Sequence, residues 1–157
     1  MRLIALGCCA ALVVACGRRE QETATDTAAG TAAPAATSTV SLNDFAGRWN
    51  VVATPESATD TAVTRYTLTA TADTTGWTIT FPNRAEPVPV RIVATEGDSV
   101  IAEAGPFESV RRKGVRVTTR SIFRIQGGRM VGSTQARYAS TGADTVLTLR
   151  TEGTRAP

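Results

Sequence analysis

Histidine is missing from this 157-residue sequence, and cysteine occurs only three times. Without histidine, the chain cannot form Ser-His or Cys-His nucleophile pairs, and zinc sites built on imidazole are excluded as well. The acidic residues at the turns and ends of the predicted strands form no recognisable catalytic motif, and we expect them at the surface: Glu96, Asp98, Glu103 and Glu108. We therefore predict that the protein is not an enzyme and has no catalytic residue, metal site or cofactor.

A strong excess of one charge is also missing. The formal net charge is +3, Lys113 is the single lysine, and the arginines are spread along the chain. Nucleic-acid binding needs a concentrated basic surface, so we predict no nucleic-acid partner. The densest basic segment, residues 111–116, reads RRKGVR and lies in a link between two predicted strands. It is either a solvated turn or a surface for anionic lipid headgroups or glycans.

No apolar run is long enough for a permanent membrane-spanning helix. The run from Leu3 to Ala15 has 13 residues, whereas a helix needs roughly 20 to cross the hydrocarbon layer. Arg2 precedes this run and the small residue Ala15 ends it. A positive start, a short apolar core and a small final residue are typical of a cleaved export signal. We predict that residues 1–15 are a signal peptide.

The sequence Val13-Val14-Ala15-Cys16 resembles the lipobox of bacterial lipoproteins. The resemblance implies that Cys16 becomes the first residue of the mature chain, that its sulfur carries lipid, and that this lipid links the protein to a membrane of the cell envelope. Because Gly17 rather than Asp follows Cys16, the sorting pattern of that family implies the outer membrane, with the protein facing the periplasm. The competing interpretation is an ordinary secreted protein with a stray cysteine. Cys8 and Cys9 lie too near the start for cleavage there.

The rest of the chain divides into a tether and one domain. Residues 16–40 consist of Cys16 and a segment rich in Ala and Thr, with almost nothing large and apolar. Such a segment cannot bury enough surface to offset the entropy of ordering, so we predict a disordered tether. Residues 41–157 are long enough for one domain. This domain contains no cysteine and must be held together by buried apolar surface.

From Leu42 onward, short segments rich in Val, Ile, Thr and aromatic residues alternate with Gly, Asp, Pro and Asn. In several of them the apolar side chains occupy every second position, which places them on one face of a strand. The pattern predicts an all-β domain with strands near residues 47–54, 62–72, 76–82, 88–95, 98–104, 115–126, 129–139 and 144–151. Short links favour a meander, and closing it into a single antiparallel up-and-down barrel of about eight strands removes the exposed edges. The main alternative is a two-sheet sandwich.

The sequence Gly47-Arg48-Trp49 resembles the Gly-x-Trp motif that opens the first barrel strand in the lipocalin and calycin families. The resemblance implies a barrel in which Gly47 lets the chain enter and Trp49 plugs the closed end. In these families an arginine from the last strand often packs over the tryptophan. The nearest positional match is Arg150, with Arg137 as the second choice. The alternative is that Trp49 is an ordinary core residue of another β-fold.

The inward faces carry large side chains that either line a cavity for an apolar ligand or fill the interior: Trp77, Ile79, Phe81, Phe123, Ile125, Met130 and Tyr138. Aromatic residues make up only 5% of the chain, and small interior side chains favour a cavity. We therefore hypothesise a membrane-anchored, lipocalin-like lipoprotein that binds a small apolar ligand in the cell envelope. The alternative is a structural or interaction lipoprotein whose solid barrel or sandwich contacts envelope proteins or glycans. A cavity near the usual ligand-pocket size of about 300–1,000 Å³ would support the first hypothesis, and a filled interior would support the second.

Overall fold

A computed structural model describes residues 39–140 and 145–157, which form an eight-stranded barrel preceded by a short 3-10 helix. The helix spans Leu42–Asp44, and the strands are β1 (Gly47–Pro55), β2 (Thr64–Ala70), β3 (Thr78–Thr80), β4 (Val88–Glu96), β5 (Ser99–Glu108), β6 (Arg116–Gln126), β7 (Arg129–Tyr138) and β8 (Val146–Arg155). The predicted signal peptide, Cys16 and all but the last two residues of the predicted tether lie outside the described residues. Within the described ranges, no helix has the length and apolar character needed to span a membrane.

The strands follow one another around the barrel in chain order. Each strand pairs antiparallel with the next, and β8 pairs with β1 to close the ring. The closing register places Trp49 opposite Arg155 at one end and Pro55 opposite Leu149 at the other. Every second residue of β1 from Trp49 to Pro55 is buried, as the apolar alternation of the sequence predicted. The predicted up-and-down barrel is confirmed, and the two-sheet sandwich is excluded.

The two ends of the barrel differ in what covers them. The closed end carries the 3-10 helix, the C-terminus and the turns after β2, β4 and β6. The backbone N–H of Val40 donates a hydrogen bond to Gly97 O at 2.8 Å, so the chain approaches the barrel at this end. The opposite end, where β1, β3, β5 and β7 end, is called the mouth.

Two strands, β5 and β8, are longer than the sequence pattern predicted. The alternation predicts an end at residue 104, but β5 continues to Glu108 after a register shift, and Phe107 then pairs with Val117. Gly105 permits this bulge because its φ is 108° and a Cβ there would lie 2.6 Å from Val117 O. In the same way, β8 runs to Arg155 instead of ending near residue 151. That extension places Arg155 beside Trp49 at the closed end.

Candidate functional site

The closed end is sealed by Trp49, which is fully buried. Its Nε1 donates a hydrogen bond to Phe45 O at 2.7 Å, which ties the indole to the residue after the 3-10 helix. The guanidinium of Arg155 lies over the indole, 4.5 Å from the ring centroid. The same guanidinium donates to Ala46 O and Asp44 O, each at 2.8 Å. Trp49 and Arg155 therefore join the helix, the first strand and the last strand.

The arginine over Trp49 is Arg155, so the sequence assignment to Arg150 or Arg137 is wrong. The inward positions of β8 include 149, 151 and 153, and Arg155 continues that series. Arg150 has the opposite phase: its side chain is 68% exposed on the outer wall, with Nε 3.4 Å from Glu152 Oε1. Arg137 is also exposed, on the part of β7 near the mouth. The error came from ending the last predicted strand at residue 151.

Gly47 makes room for this arginine. Its φ is 124°, in the region that glycine adopts without strain. A Cβ at this position would lie 3.0 Å from Nη1 of Arg155. A larger residue would therefore crowd the guanidinium that covers Trp49.

The barrel interior is filled in the closed half and hollow in the half nearer the mouth. The largest side chains that pack the closed half are Phe45, Trp49, Leu68, Trp77, Phe123 and Met130, all fully buried. The hollow, which we call the inner cavity, measures about 60 Å³. Its apolar wall includes Tyr66, Ile79, Phe81, Phe107, Tyr138 and Leu149. Small side chains leave the space open, namely Ala53, Thr119, Ser121, Thr134 and Ala136.

Only some of the predicted ligand-lining residues border this cavity. Those that do are Ile79, Phe81 and Tyr138. Those that belong to the filled half are Trp77, Phe123 and Met130, and Ile125 is partly buried against the core. All seven have the inward phase, but the phase of a side chain does not fix its height along the barrel axis. Tyr66 and Leu149 also line the cavity and share that phase, but they were not predicted. Phe107 was not predicted because it follows the β5 bulge.

A short chain of hydroxyl groups lies at the base of the inner cavity. Ser121 Oγ is 2.8 Å from Thr134 Oγ1, which in turn is 3.1 Å from Thr151 Oγ1, and all three residues are buried. Their mutual hydrogen bonds offset the cost of burying polar groups in an apolar interior. On the wall above them, burial raises the pKa of the Tyr66 phenol, so this group stays neutral. The cavity thus combines apolar walls with a polar base.

The β5–β6 loop, residues 109–115, reaches across part of the mouth. Nη2 of Arg111 in this loop lies 2.6 Å from Asp60 Oδ2 in the β1–β2 loop. Its Nη1 donates to Ala62 O at 2.5 Å and to Thr64 Oγ1 at 3.0 Å. We call these contacts the Arg111 clasp. The side chain of Arg111 is only 15% exposed, so the first residue of the basic segment is not part of a solvated turn.

An open groove of about 540 Å³ lies on the outer side of the clasp, and we call it the mouth groove. It shares Thr64, Phe81, Val110 and Arg111 with the inner cavity. The charged residues among its described lining are Asp60, Arg65, Arg111 and Arg112. Arg112 also places its guanidinium 4.0 Å from the ring centroid of the cavity residue Tyr138. Arg111 therefore stands at the boundary between a small apolar space and a larger basic one.

The clasp has a defined pH dependence. The hydrogen bond from Arg111 lowers the pKa of Asp60 below 3.8, helped by the Ala62 N–H and opposed by desolvation. A carboxylate with a lower pKa in the folded state stabilises the fold when the pH is above the pKa of the unfolded chain. This stabilisation is lost as the pH falls through the lowered pKa of the folded state. We expect a ¹³C NMR titration of Asp60 to show a midpoint below 3.8 that rises in the Arg111→Met variant. An unchanged midpoint in that variant would contradict the clasp.

No protein-family model, curated protein or solved structure matches this chain. The barrel itself has three features that bear on function: a sealed closed end, a hollow at the mouth, and an arginine between the hollow and the outside.

Proposed function

We propose that this protein is a lipid-anchored lipoprotein of the bacterial cell envelope whose calycin-like barrel binds a small apolar ligand through its mouth. The observation that carries the proposal is the inner cavity of about 60 Å³, bordered by apolar side chains and adjoining the mouth groove. Ligand sites in proteins are typically concave, mostly apolar and supplied with a few polar groups. The hydroxyls of Ser121 and Thr134 are such groups here.

The empty space in the barrel lowers stability, which supports a functional reason for it. Side chains that border a hollow lose packing contacts on that side. Larger side chains at Ala53 or Ala136 would fill this space, and the closed half of the same barrel is packed in that way. The small residues are therefore placed as a ligand-binding barrel needs them: the closed half is tightly packed for stability, and the half near the mouth leaves space for a ligand.

The size of the cavity limits the shape of the ligand. Typical ligand pockets measure about 300–1,000 Å³, well above the 60 Å³ of the inner cavity. A ligand of ordinary size must therefore be slender and must continue past Arg111 into the mouth groove. Val40, near the start of the described residues, is bound to Gly97 at the closed end, opposite the mouth.

The Gly47, Trp49 and Arg155 arrangement also supports the calycin part of the proposal. The resemblance to the lipocalin and calycin families implies that a tryptophan lies at the closed end and that an arginine of the last strand packs over it. Here the arginine lies 4.5 Å from the indole centroid and donates to two carbonyls beside the 3-10 helix. The lipid anchor is supported by the lipobox-like Val13-Val14-Ala15-Cys16 sequence.

The small cavity volume favours a second candidate function. If the cavity never enlarges, the barrel is nearly solid and its outer wall becomes the working surface. The protein would then be a structural or interaction lipoprotein that contacts envelope proteins or glycans. The two candidates differ in whether a slender apolar compound enters the mouth.

Binding of 1-octanol separates the two candidates. We use the mature chain, residues 16–157, with Cys16→Ser so that neither lipid nor detergent is present. Burying about five methylene groups at ~0.8 kcal/mol each gives about 4 kcal/mol, so we expect saturable binding near millimolar concentration in isothermal titration calorimetry. Ala136→Val fills the cavity and should weaken binding at least about tenfold while leaving thermal stability equal or higher.

The matched control is Ala139→Val, which adds the same atoms at an exposed position outside both cavities. This variant should bind 1-octanol like the native chain. Ala53→Val provides a second cavity-filling change on a different strand. If 1-octanol does not bind, or binds equally well when the cavity is filled, the carrier function is wrong and the interaction lipoprotein is favoured.

A further inference from the structure

Arg111 is held by the loop that forms the opposite side of the mouth. Its side chain is 15% exposed, whereas its partner Asp60 is 37% exposed. A guanidinium this far from water needs an anionic partner, because an unpaired charge at such a depth is costly. Asp60 supplies that partner from a loop that belongs to no strand.

We propose that, given the proposed function, the ligand is an anionic amphiphile whose acidic head replaces Asp60 on Arg111 while its unbranched tail lies in the inner cavity. Arg111 suits this exchange because it borders both the cavity and the mouth groove. Displacing Asp60 frees Nη2 of the guanidinium, and an oxygen of a carboxylate or phosphate head can take the place of Asp60 Oδ2. Asp60 then competes with the ligand head for Arg111.

The other charges of the mouth groove select the same sign. Arg65 and Arg112 border the groove beside Arg111, and Asp60 is the only acidic residue among its described lining. Once Asp60 leaves the clasp, a head group in the groove faces Arg65 and Arg111. These arginines would repel a cationic head. A neutral head could not replace Asp60, so the ion pair between Arg111 and Asp60 would remain. The inner cavity beneath Arg111 accepts the apolar tail.

Four octyl compounds test the inference: octanoate, octyl phosphate, 1-octanol and octylammonium. They share one tail and differ in the head, and calorimetry at pH 7 with the mature Cys16→Ser chain compares them. We expect octanoate or octyl phosphate to bind at least about tenfold tighter than 1-octanol, and octylammonium to bind most weakly. The stronger of the two anions identifies the head group as carboxylate or phosphate.

Substituting Arg111 and substituting Asp60 should change the affinity for the anions in opposite directions. Arg111→Met should reduce the affinity for the anions to that for 1-octanol and leave 1-octanol binding nearly unchanged. Asp60→Asn removes the competing carboxylate and should tighten binding of the anions severalfold. This test remains valid if Arg111→Met does not fold. Arg137→Met, an exposed residue of the outer wall, controls for the loss of one positive charge and should change nothing.

The outcomes separate this inference from the proposed function. If 1-octanol does not bind, the proposed function itself fails, whatever the charged compounds do. If 1-octanol binds but the anions show no preference that depends on Arg111, the barrel is a carrier and the anionic head is wrong. Weaker anion binding in Asp60→Asn would also overturn the inference, since Asp60 would then help to hold the ligand.

Discussion

Trp49→Ala is expected to lower the free energy of unfolding by about 3–5 kcal/mol, the usual cost of removing a fully buried tryptophan. The ring is fully buried at the closed end. Its loss also removes the hydrogen bond to Phe45 O and the surface on which Arg155 lies. Urea denaturation of the mature chain measures the change, and a loss under about 1 kcal/mol would contradict the closed end described here.

Two further variants separate the parts of this contact. Trp49→Phe keeps a ring but loses Nε1, and we expect a smaller loss of about 1–3 kcal/mol. Arg155→Ala should cost about 1–2 kcal/mol, because it removes a cation–π contact and two charge-assisted hydrogen bonds. Arg150→Ala is the matched control on the same strand, and its effect should stay within about 0.5 kcal/mol. Equal losses for the two arginines would contradict the assignment to Arg155.

Cys16→Ser is expected to abolish lipid attachment completely, because in the proposed lipoprotein the sulfur of Cys16 is the one group that would carry the lipid. Each buried CH₂ of an acyl chain contributes about 0.8 kcal/mol of membrane affinity, so the variant should leave the membrane or keep its signal peptide. Metabolic labelling with a radioactive fatty acid followed by membrane fractionation measures both effects. Label that persists in Cys16→Ser would show that the protein is not a lipoprotein acylated at this residue.

Cys8 and Cys9 provide the controls for this experiment. Both precede the predicted cleavage site and would leave with the signal peptide. Cys8→Ser and Cys9→Ser should therefore incorporate label like the native chain. Loss of label in either variant would place the acylated residue elsewhere.

The barrel could be predicted because its strands are exposed to two different environments. Inward and outward positions alternate along β1 and β6, so the sequence carries a period of two that is visible without a structure. Links of a few residues leave consecutive strands as neighbours, and exposed edges favour closure. Those three facts predicted the order of the strands and favoured the closed barrel, while the choice between barrel and two-sheet sandwich needed the structure.

The height of a side chain along the barrel could not be predicted in the same way. Trp77 and Tyr138 have the same inward phase, but Trp77 lies in the filled half and Tyr138 borders the cavity. Height depends on the stagger between strands, which no local pattern records. Arg155 was missed because its phase continues past the predicted end of the last strand. Its position opposite Trp49 is a property of the closing register.

The Arg111 clasp was missed for a related reason. Asp60 and Arg111 are 51 residues apart in the chain, and each belongs to a loop without regular alternation. In the sequence, Arg111 belongs to a short basic run, which is typical of a solvated turn. Only the barrel brings the β1–β2 and β5–β6 loops together, so the position of Arg111 between the inner cavity and the mouth groove follows from topology and not from a motif.

Mass spectrometry of apolar compounds extracted from the protein, isolated under non-denaturing conditions from its own cells, tests the carrier function most directly. The native chain and the Ala136→Val variant are extracted in parallel, since the variant fills the inner cavity and should keep the fold. We predict a slender amphiphile in near-stoichiometric amount with the native chain and strongly depleted in the variant. An extract without such a compound, or with equal amounts in both proteins, would contradict ligand binding in the barrel.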